Sequence, residues 1–368
     1  MRMTAAVWHG PKDVRITELD VRPPGPGEVT LEVAYCGICG SDLHEYVDGP
    51  HAVPVGAPHP ASGVAAPLVL GHEFCGTISA VGPEVSGLAI GDRIAVEPNY
   101  RCGTCPRCAA GEYNICRHFG FAGLSGHGGL AEYCTLPAYM AHRLPPEVSL
   151  EQAALFEPAA VALHALRRSG AGPADAVAVI GLGPIGLLTV LLATRLGISR
   201  IIAAEVVAER LRLAARLGAT DLVDAGSGED AAERIRELTG GQGTDVAFEA
   251  VGAEHTLRTC LAATRRGGRV VLVGLTGEIS LSAFELVNNE QSIITSVGYR
   301  DCHPELIRLV AEEGLDLTPI ATETIPLDQV VPRGFEALLG GTGQIKVLVR
   351  PKPGQRCRES AAGAEPDR

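Results

Sequence analysis

The run CGICGSDLHEYVDGP, residues 36–50, sets two thiols, two kinds of carboxylate, a hydroxyl and an imidazole side by side. Cys36 and Cys39 suit a redox pair, a metal clip or two core thiols equally well at this point. A second cluster says more: CGTCPRCAAGEYNIC carries Cys102, Cys105, Cys108 and Cys116 in a C-x2-C-x2-C-x7-C spacing. Four thiolates close a tetrahedral Zn²⁺ shell with no open position, which is the mark of a structural metal. An iron–sulfur cluster also takes four thiolates, but the ferredoxin-type run differs in the spacing and the proline around its last cysteine. A loop lobe of this kind lacks an apolar core, so bound metal would supply its folding energy.

Further single donors are dispersed: His72 and Glu73 in LGHEFCG, and Glu157 in ALFEPAAVALHA. A catalytic zinc takes three protein ligands and leaves one position for substrate. Cys39, His72 and Glu157 can supply a thiolate, an imidazole and a carboxylate, which together neutralise the dication. Spacing alone does not bring them together. A redox C-x2-C opens a helix of a thioredoxin-like unit, and no such unit follows Cys36.

The third motif is VIGLGPIG, in which Gly181, Gly183 and Gly186 frame Pro184 and Ile185 between a β-branched strand and a helix. The first glycine permits a tight turn, the second lets a pyrophosphate approach the backbone, and the third allows helix to pack on strand. The next strand ends in AAEV, so Glu205 is placed to accept hydrogen bonds from ribose hydroxyls. A 2′-phosphate there would meet a like charge, so NAD is expected in preference to NADP.

These residues must be positioned by two kinds of architecture. Residues 1–158 read as short strands between Gly/Pro turns, such as EVTLEVAYCG, FCGTISAVG, DRIAVEP and LAEYCTLP. Within them, residues 50–67 hold five prolines and no regular pattern, which predicts a loop able to act as a lid. From about residue 175 strands and helices alternate. AVAVIGLG, RIIAAEV, TDLVDA, TDVAFEAVG, RVVLVGL and SIITSVGY predict a doubly wound parallel sheet. Residues 300–350 add the helix PELIRLVAEEG and the apolar strand IKVLVRP, and the polar residues 351–368 predict a flexible tail.

The chain has 368 residues, 46% hydrophobic and 20% charged, which fits two globular domains. A net charge of −12 and only 4% aromatic residues argue against nucleic acid and against an anionic membrane as partners. The N-terminus lacks an apolar signal region, and no apolar run is long enough to span a bilayer, so a cytoplasmic location is expected. Eight of the eleven cysteines fall between Cys36 and Cys134, and in a reducing compartment that clustering points to metal.

CGICGSDLH, GHE, the four-cysteine lobe, EP and GLGPIG, in this order, resemble the zinc-dependent medium-chain alcohol dehydrogenases across nearly all of residues 1–350. The resemblance implies an α/β protein: a β-rich, GroES-like catalytic domain over 1–158, with 300–350 returning to it, and a Rossmann NAD-binding domain over 159–299. It implies two zincs per chain. The catalytic one falls on Cys39, His72 and Glu157, as in the polyol branch, and the structural one on the four-cysteine lobe. Cys36 then becomes a buried neighbour. Glu73 matches an acid that binds zinc directly or through water in family members, and Asp42 would orient His72 through its other ring nitrogen. Ser41 would contact the substrate alcohol and His44 would pass its proton to water, while Arg210 matches a basic position over the adenosine ribose. CGSDLHEYVDGP and the long Pro/Ala-rich insert resemble the (R,R)-2,3-butanediol dehydrogenases more narrowly, implying a diol or hydroxyketone substrate. Sorbitol and other polyol dehydrogenases are the alternative, with threonine dehydrogenases behind them. A nucleotide-binding protein without activity should have lost these ligands, and this chain keeps them. Homo-oligomers are expected by the same analogy.

Overall fold

The computed structural model describes residues 1–274, 277–341 and 343–352. The expected tail therefore lies, beyond residue 352, outside the described residues. No helix among them is long and apolar enough to cross a membrane.

The first half is built on antiparallel strands Glu28–Gly37 (β1), Glu73–Val81 (β2), Arg93–Val96 (β3) and Ala141–Arg143 (β4). They pair in the order β4-β3-β2-β1. Val29, Leu31 and Val33 alternate along β1 and point into one apolar core with Ile78 and Ile94, as a period of two requires. Immediately after β1 the polar run of residues 40–48 forms a helix, Gly40–Asp48 (α1), where no element was predicted. Its start is fixed by Asp42, whose Oδ2 accepts the Cys39 amide at 2.9 Å, and it stops at Gly49–Pro50. A second unpredicted helix, Phe156–Ser169 (α2), carries the EP motif in its first turn.

The six predicted parallel strands all form: Ala176–Ile180 (β5), Arg200–Glu205 (β6), Asp221–Asp224 (β7), Thr244–Glu249 (β8), Thr264–Leu272 (β9) and Ser292–Thr295 (β10). Their order is β7-β6-β5-β8-β9-β10, the reversal of direction falling beside β5. Alternate residues of β5 serve two cores. Val177 and Val179 pack with Leu163 and Leu187 on one face, whereas Ala178 and Ile180 pack with Ile235 and Leu257 on the other. Burial on both faces is why these strands read as continuous apolar runs. The helices Pro184–Arg195 (α3) and Ala208–Arg216 (α4) follow β5 and β6.

After β10 the chain forms the helix His303–Ala311 (α5) and then the strands Ala321–Pro326 (β11) and Lys346–Arg350 (β12). β12 pairs with β1, with Leu348 opposite Gly37 and Val349 opposite Cys36. The end of the described chain is thus stitched to the strand that leads into α1.

Candidate active site

β1, α1 and β2 converge on one buried point. Cys39 caps α1, His72 and Glu73 lie at the start of β2, and donor atoms of these three side chains all lie within 4.8 Å of one another. Ser41 Oγ stands 3.4 Å from His72 Nε2. On the other side of the ring, His72 Nδ1 faces Asp42 Oδ1 at 3.6 Å and makes no hydrogen bond. Burial opposes a charge on His72, but Asp42 and Cys39 outweigh it and hold the imidazole well above its usual pKa. A ring held between anionic groups is a seat for a cation, and thiol, imidazole and carboxylate donors fit zinc. His44 is exposed on α1, three residues beyond Ser41 and hence on the same helix face.

Two carboxyl groups stand at this point, and they differ in compensation. Glu73 is fully buried, and Lys346 of β12 reaches its two oxygens at 2.6 and 2.7 Å. Lys346 Nζ also donates to the carbonyl of Ile38 at 2.8 Å. Glu157, in the first turn of α2, lies outside the close group of donors, yet it is buried and within electrostatic reach of His72, Glu73 and Lys346. Burial is the main cause that lifts its carboxyl to about 7; His72 opposes the rise and Glu73 adds to it. Glu73 therefore has Lys346 in hydrogen-bond contact, whereas Lys346 and His72 act on Glu157 only through space. Cys36 is fully buried and stands apart from the donor group.

The four-cysteine lobe closes on itself. Sγ of Cys102 lies 4.0 Å from that of Cys108 and 3.5 Å from that of Cys116, and Cys105 lies 3.9 Å from Cys116. Backbone amides favour thiolates here: the Cys102 and His118 amides donate to Cys116 Sγ, each at 3.3 Å. The amides of Thr104 and Cys105 bring Cys102 down to about 5, while burial and the adjoining sulfurs push Cys108 up to about 12. Four thiols this close ionise together only around a cation, so the lobe fits a closed Zn²⁺ site.

At the nucleotide motif Gly181 has φ +91°, and a Cβ on Gly186 would stand 1.8 Å from the Gly181 carbonyl oxygen. Gly183 caps α3, Pro184 and Ile185 form its first turn, and a Cβ on Gly183 would meet nothing within 4 Å. That open side at a helix N-terminus is where a phosphate group fits. Glu205 ends β6 and ties the turn down: it accepts from Leu182 N at 2.8 Å and from Val206 N at 2.8 Å. Arg210 on α4 lies 3.7 Å away from it. Carboxylate oxygens keep spare lone pairs for ribose hydroxyls in this arrangement.

The proline-rich segment is a loop, as predicted, and it is tethered. Glu45 of α1 accepts the amides of His51 and Val53 at 3.0 and 3.2 Å, and Ser62 Oγ donates to the Ser125 carbonyl. His59 reaches the Phe119 carbonyl at 3.3 Å. The loop thus leans on residues 119–125, whose Phe121 ring sits 5.6 Å from that of His72. Lys346 and Glu45 were not foreseen from sequence. A lysine heading the apolar run KVLV was the available signal, since a buried lysine requires a partner.

Family models match both halves: an alcohol dehydrogenase GroES-like domain at residues 25–146 and a zinc-binding dehydrogenase domain at 184–312. The chain is 40% identical over 351 residues to a Bacillus subtilis (R,R)-butanediol dehydrogenase, covering 95% of this chain and all of that one. A sorbitol dehydrogenase of the same bacterium is 35% identical, covering 95% of this chain and 97% of its own. Among solved structures, the X-ray structure of 2R,3R-butanediol dehydrogenase from Bacillus subtilis superposes with a TM-score of 0.89 at 39% identity, covering 95% of this chain and 100% of that one.

Proposed function

Because the chain belongs to the zinc-dependent medium-chain alcohol dehydrogenase family, we propose that it oxidises a secondary vicinal diol, 2,3-butanediol, to acetoin with NAD, reversibly. The observation that carries this reading is the buried donor group of Cys39, His72 and Glu73, with the buried carboxyl of Glu157 in electrostatic reach of it. It is supported by butanediol and sorbitol dehydrogenases aligning over 95% of the chain.

In this reading Cys39, His72 and Glu157 hold the catalytic zinc. Thiolate and carboxylate together offset its charge, while Glu73 stays with Lys346. Zinc, when bound, lowers the pKa of an alcohol so that it ionises near neutral pH, and NAD accepts the hydride. The rest is done by the chain's own groups. Asp42 orients His72, Ser41 hydrogen-bonds the reacting hydroxyl and passes on its own proton as it accepts the substrate's, and His44, exposed on the same helix face, delivers the relayed proton to water. Gly181, Gly183 and Gly186 with Pro184 and Ile185 receive the pyrophosphate, and Glu205 receives the ribose and repels a 2′-phosphate, with Arg210 alongside. Cys102, Cys105, Cys108 and Cys116 hold the structural zinc. The same reading assigns residues 1–158 and 300–350 to catalysis, residues 159–299 to the nucleotide, and a cytoplasmic homo-oligomer to the whole.

A diol presents a second hydroxyl, and a buried site built for it leaves polar groups unpaired when a mono-alcohol binds. That costs about 1–3 kcal/mol, or roughly one to two powers of ten in kcat/KM. The test is kcat/KM for butanediol isomers, 2-butanol, sorbitol and threonine, with NAD and then NADP. 2,3-Butanediol should lead 2-butanol by that factor. Equal turnover of 2-butanol refutes the diol assignment, a clear preference for sorbitol moves it to the polyol alternative, and equal use of NADP removes the role given to Glu205.

A further inference from the structure

Away from the active site, a second buried group of donors joins three elements. Glu97 follows β3, His142 lies on β4 and His303 opens α5, and one donor atom from each lies within 4.8 Å of the others. Glu97 is 5% exposed and His303 is fully buried. His142 Nε2 lies 2.8 Å from Glu97 Oε2, and the two imidazole rings stack with centroids 4.9 Å apart. Asn99 occupies the other oxygen, Oε1, at 3.4 Å.

His303 Nε2 lies 3.2 Å from the Val96 carbonyl, which can only accept, so Nε2 carries the ring hydrogen. In the neutral ring Nδ1 is then a lone pair. It faces the carboxylate oxygen Oε2 of Glu97 at 3.9 Å, and it has no hydrogen-bond partner. Two buried acceptors facing each other are unfavourable unless a donor or a cation lies between them, and two imidazoles with a carboxylate are a metal-binding set.

We infer that Glu97, His142 and His303 form a further divalent-cation site, of the zinc class, that clips β3 and β4 to the start of α5. Two imidazoles and one carboxylate are a donor set that zinc accepts, with a remaining position for water. Entry is open from one side: the His142 side chain is 23% exposed and lines a surface cavity of about 710 Å³ with Pro304 and Ile307. On binding, the ion replaces the proton that His142 shares with Glu97. The site is also linked to the rest of the molecule, because Asn99 Nδ2 donates to the Tyr299 carbonyl at 3.0 Å.

The test uses the whole protein with ¹¹³Cd²⁺ exchanged for its zinc. Cadmium-113 NMR should show a resonance without any thiolate ligand, distinct from that of the four-cysteine lobe and from one that includes Cys39. His142→Ala and His303→Gln should each abolish that resonance, lower the bound zinc by one equivalent and leave the thiolate-bearing resonances in place. Absence of a thiolate-free resonance in the wild-type protein overturns the inference without recourse to any variant. Its survival in both variants overturns it as well. Loss of the Cys39 resonance alone would instead bear on the catalytic assignment.

Discussion

Lys346 Nζ lies 2.6 Å and 2.7 Å from the two carboxylate oxygens of Glu73, and both side chains are buried. Pairing of β12 with β1 makes this contact possible, because it lays the last strand beside the one that leads to Cys39. Burial works against the charge on Lys346, but Glu73 and Cys39 outweigh it and raise its pKa.

Removing one partner of such a pair strands the other in a water-poor site. Lys346→Met is therefore expected to cost about 3–5 kcal/mol of stability and to lower turnover. The double variant Glu73→Gln/Lys346→Met should regain much of the stability, since neither charge is left alone, but not the activity. Urea unfolding of the zinc-loaded proteins measures the first effect and steady-state kinetics the second. A single Lys346→Met variant as stable as wild type would show that the pair is solvated and unimportant.

The two cysteine sites should respond differently to loss of one thiol. Cys39 belongs to a group dispersed over folded β-strands, so Cys39→Ala should lose activity and one zinc equivalent while keeping its circular dichroism and melting behaviour. Cys105 belongs to a lobe that the metal folds, so Cys105→Ala should give poorly folded or poorly assembled protein. Zinc content and thermal melts on both variants separate the cases. Equal damage to the fold in both would end the distinction.

His164 gives a pH dependence of known sign. It is buried in α2, 3.3 Å from Asn114 Nδ2, and burial, with Arg168, Arg300 and Arg167 nearby, lowers its pKa to about 4. Unfolded, the same imidazole titrates near about 6.5. Between these values the unfolded chain binds a proton that the folded chain refuses, so stability falls as pH drops through this window. His164→Gln removes that titration and keeps an amide for Asn114. Its urea midpoint relative to wild type should rise as pH is lowered from 6.5 toward 4. A difference that stays flat with pH would mean His164 is protonated in the folded state.

Features that close over short distances were legible in the chain alone. The Gly181–Gly186 turn and the strand–helix alternation around it are local, and the six apolar strands could be read because burial on both faces leaves no polar alternation. The four cysteines from Cys102 to Cys116 span one short loop, so their spacing already states how they meet. By contrast, Cys39, His72 and Glu157 carried no spacing that joined them; only their likeness to a family did. Only the folded chain shows that Glu73 stands in the inner group with Cys39 and His72, and that Glu157 lies outside it within electrostatic reach. It also decided that Lys346, 273 residues beyond Glu73, offsets that carboxylate. The helix at Gly40–Asp48 was hidden for a related reason, its start depending on Asp42 turning back to the Cys39 amide and not on an apolar stripe. Contacts between distant residues are set by strand register, and a register is the joint outcome of every side chain buried on the sheet, which no single motif encodes.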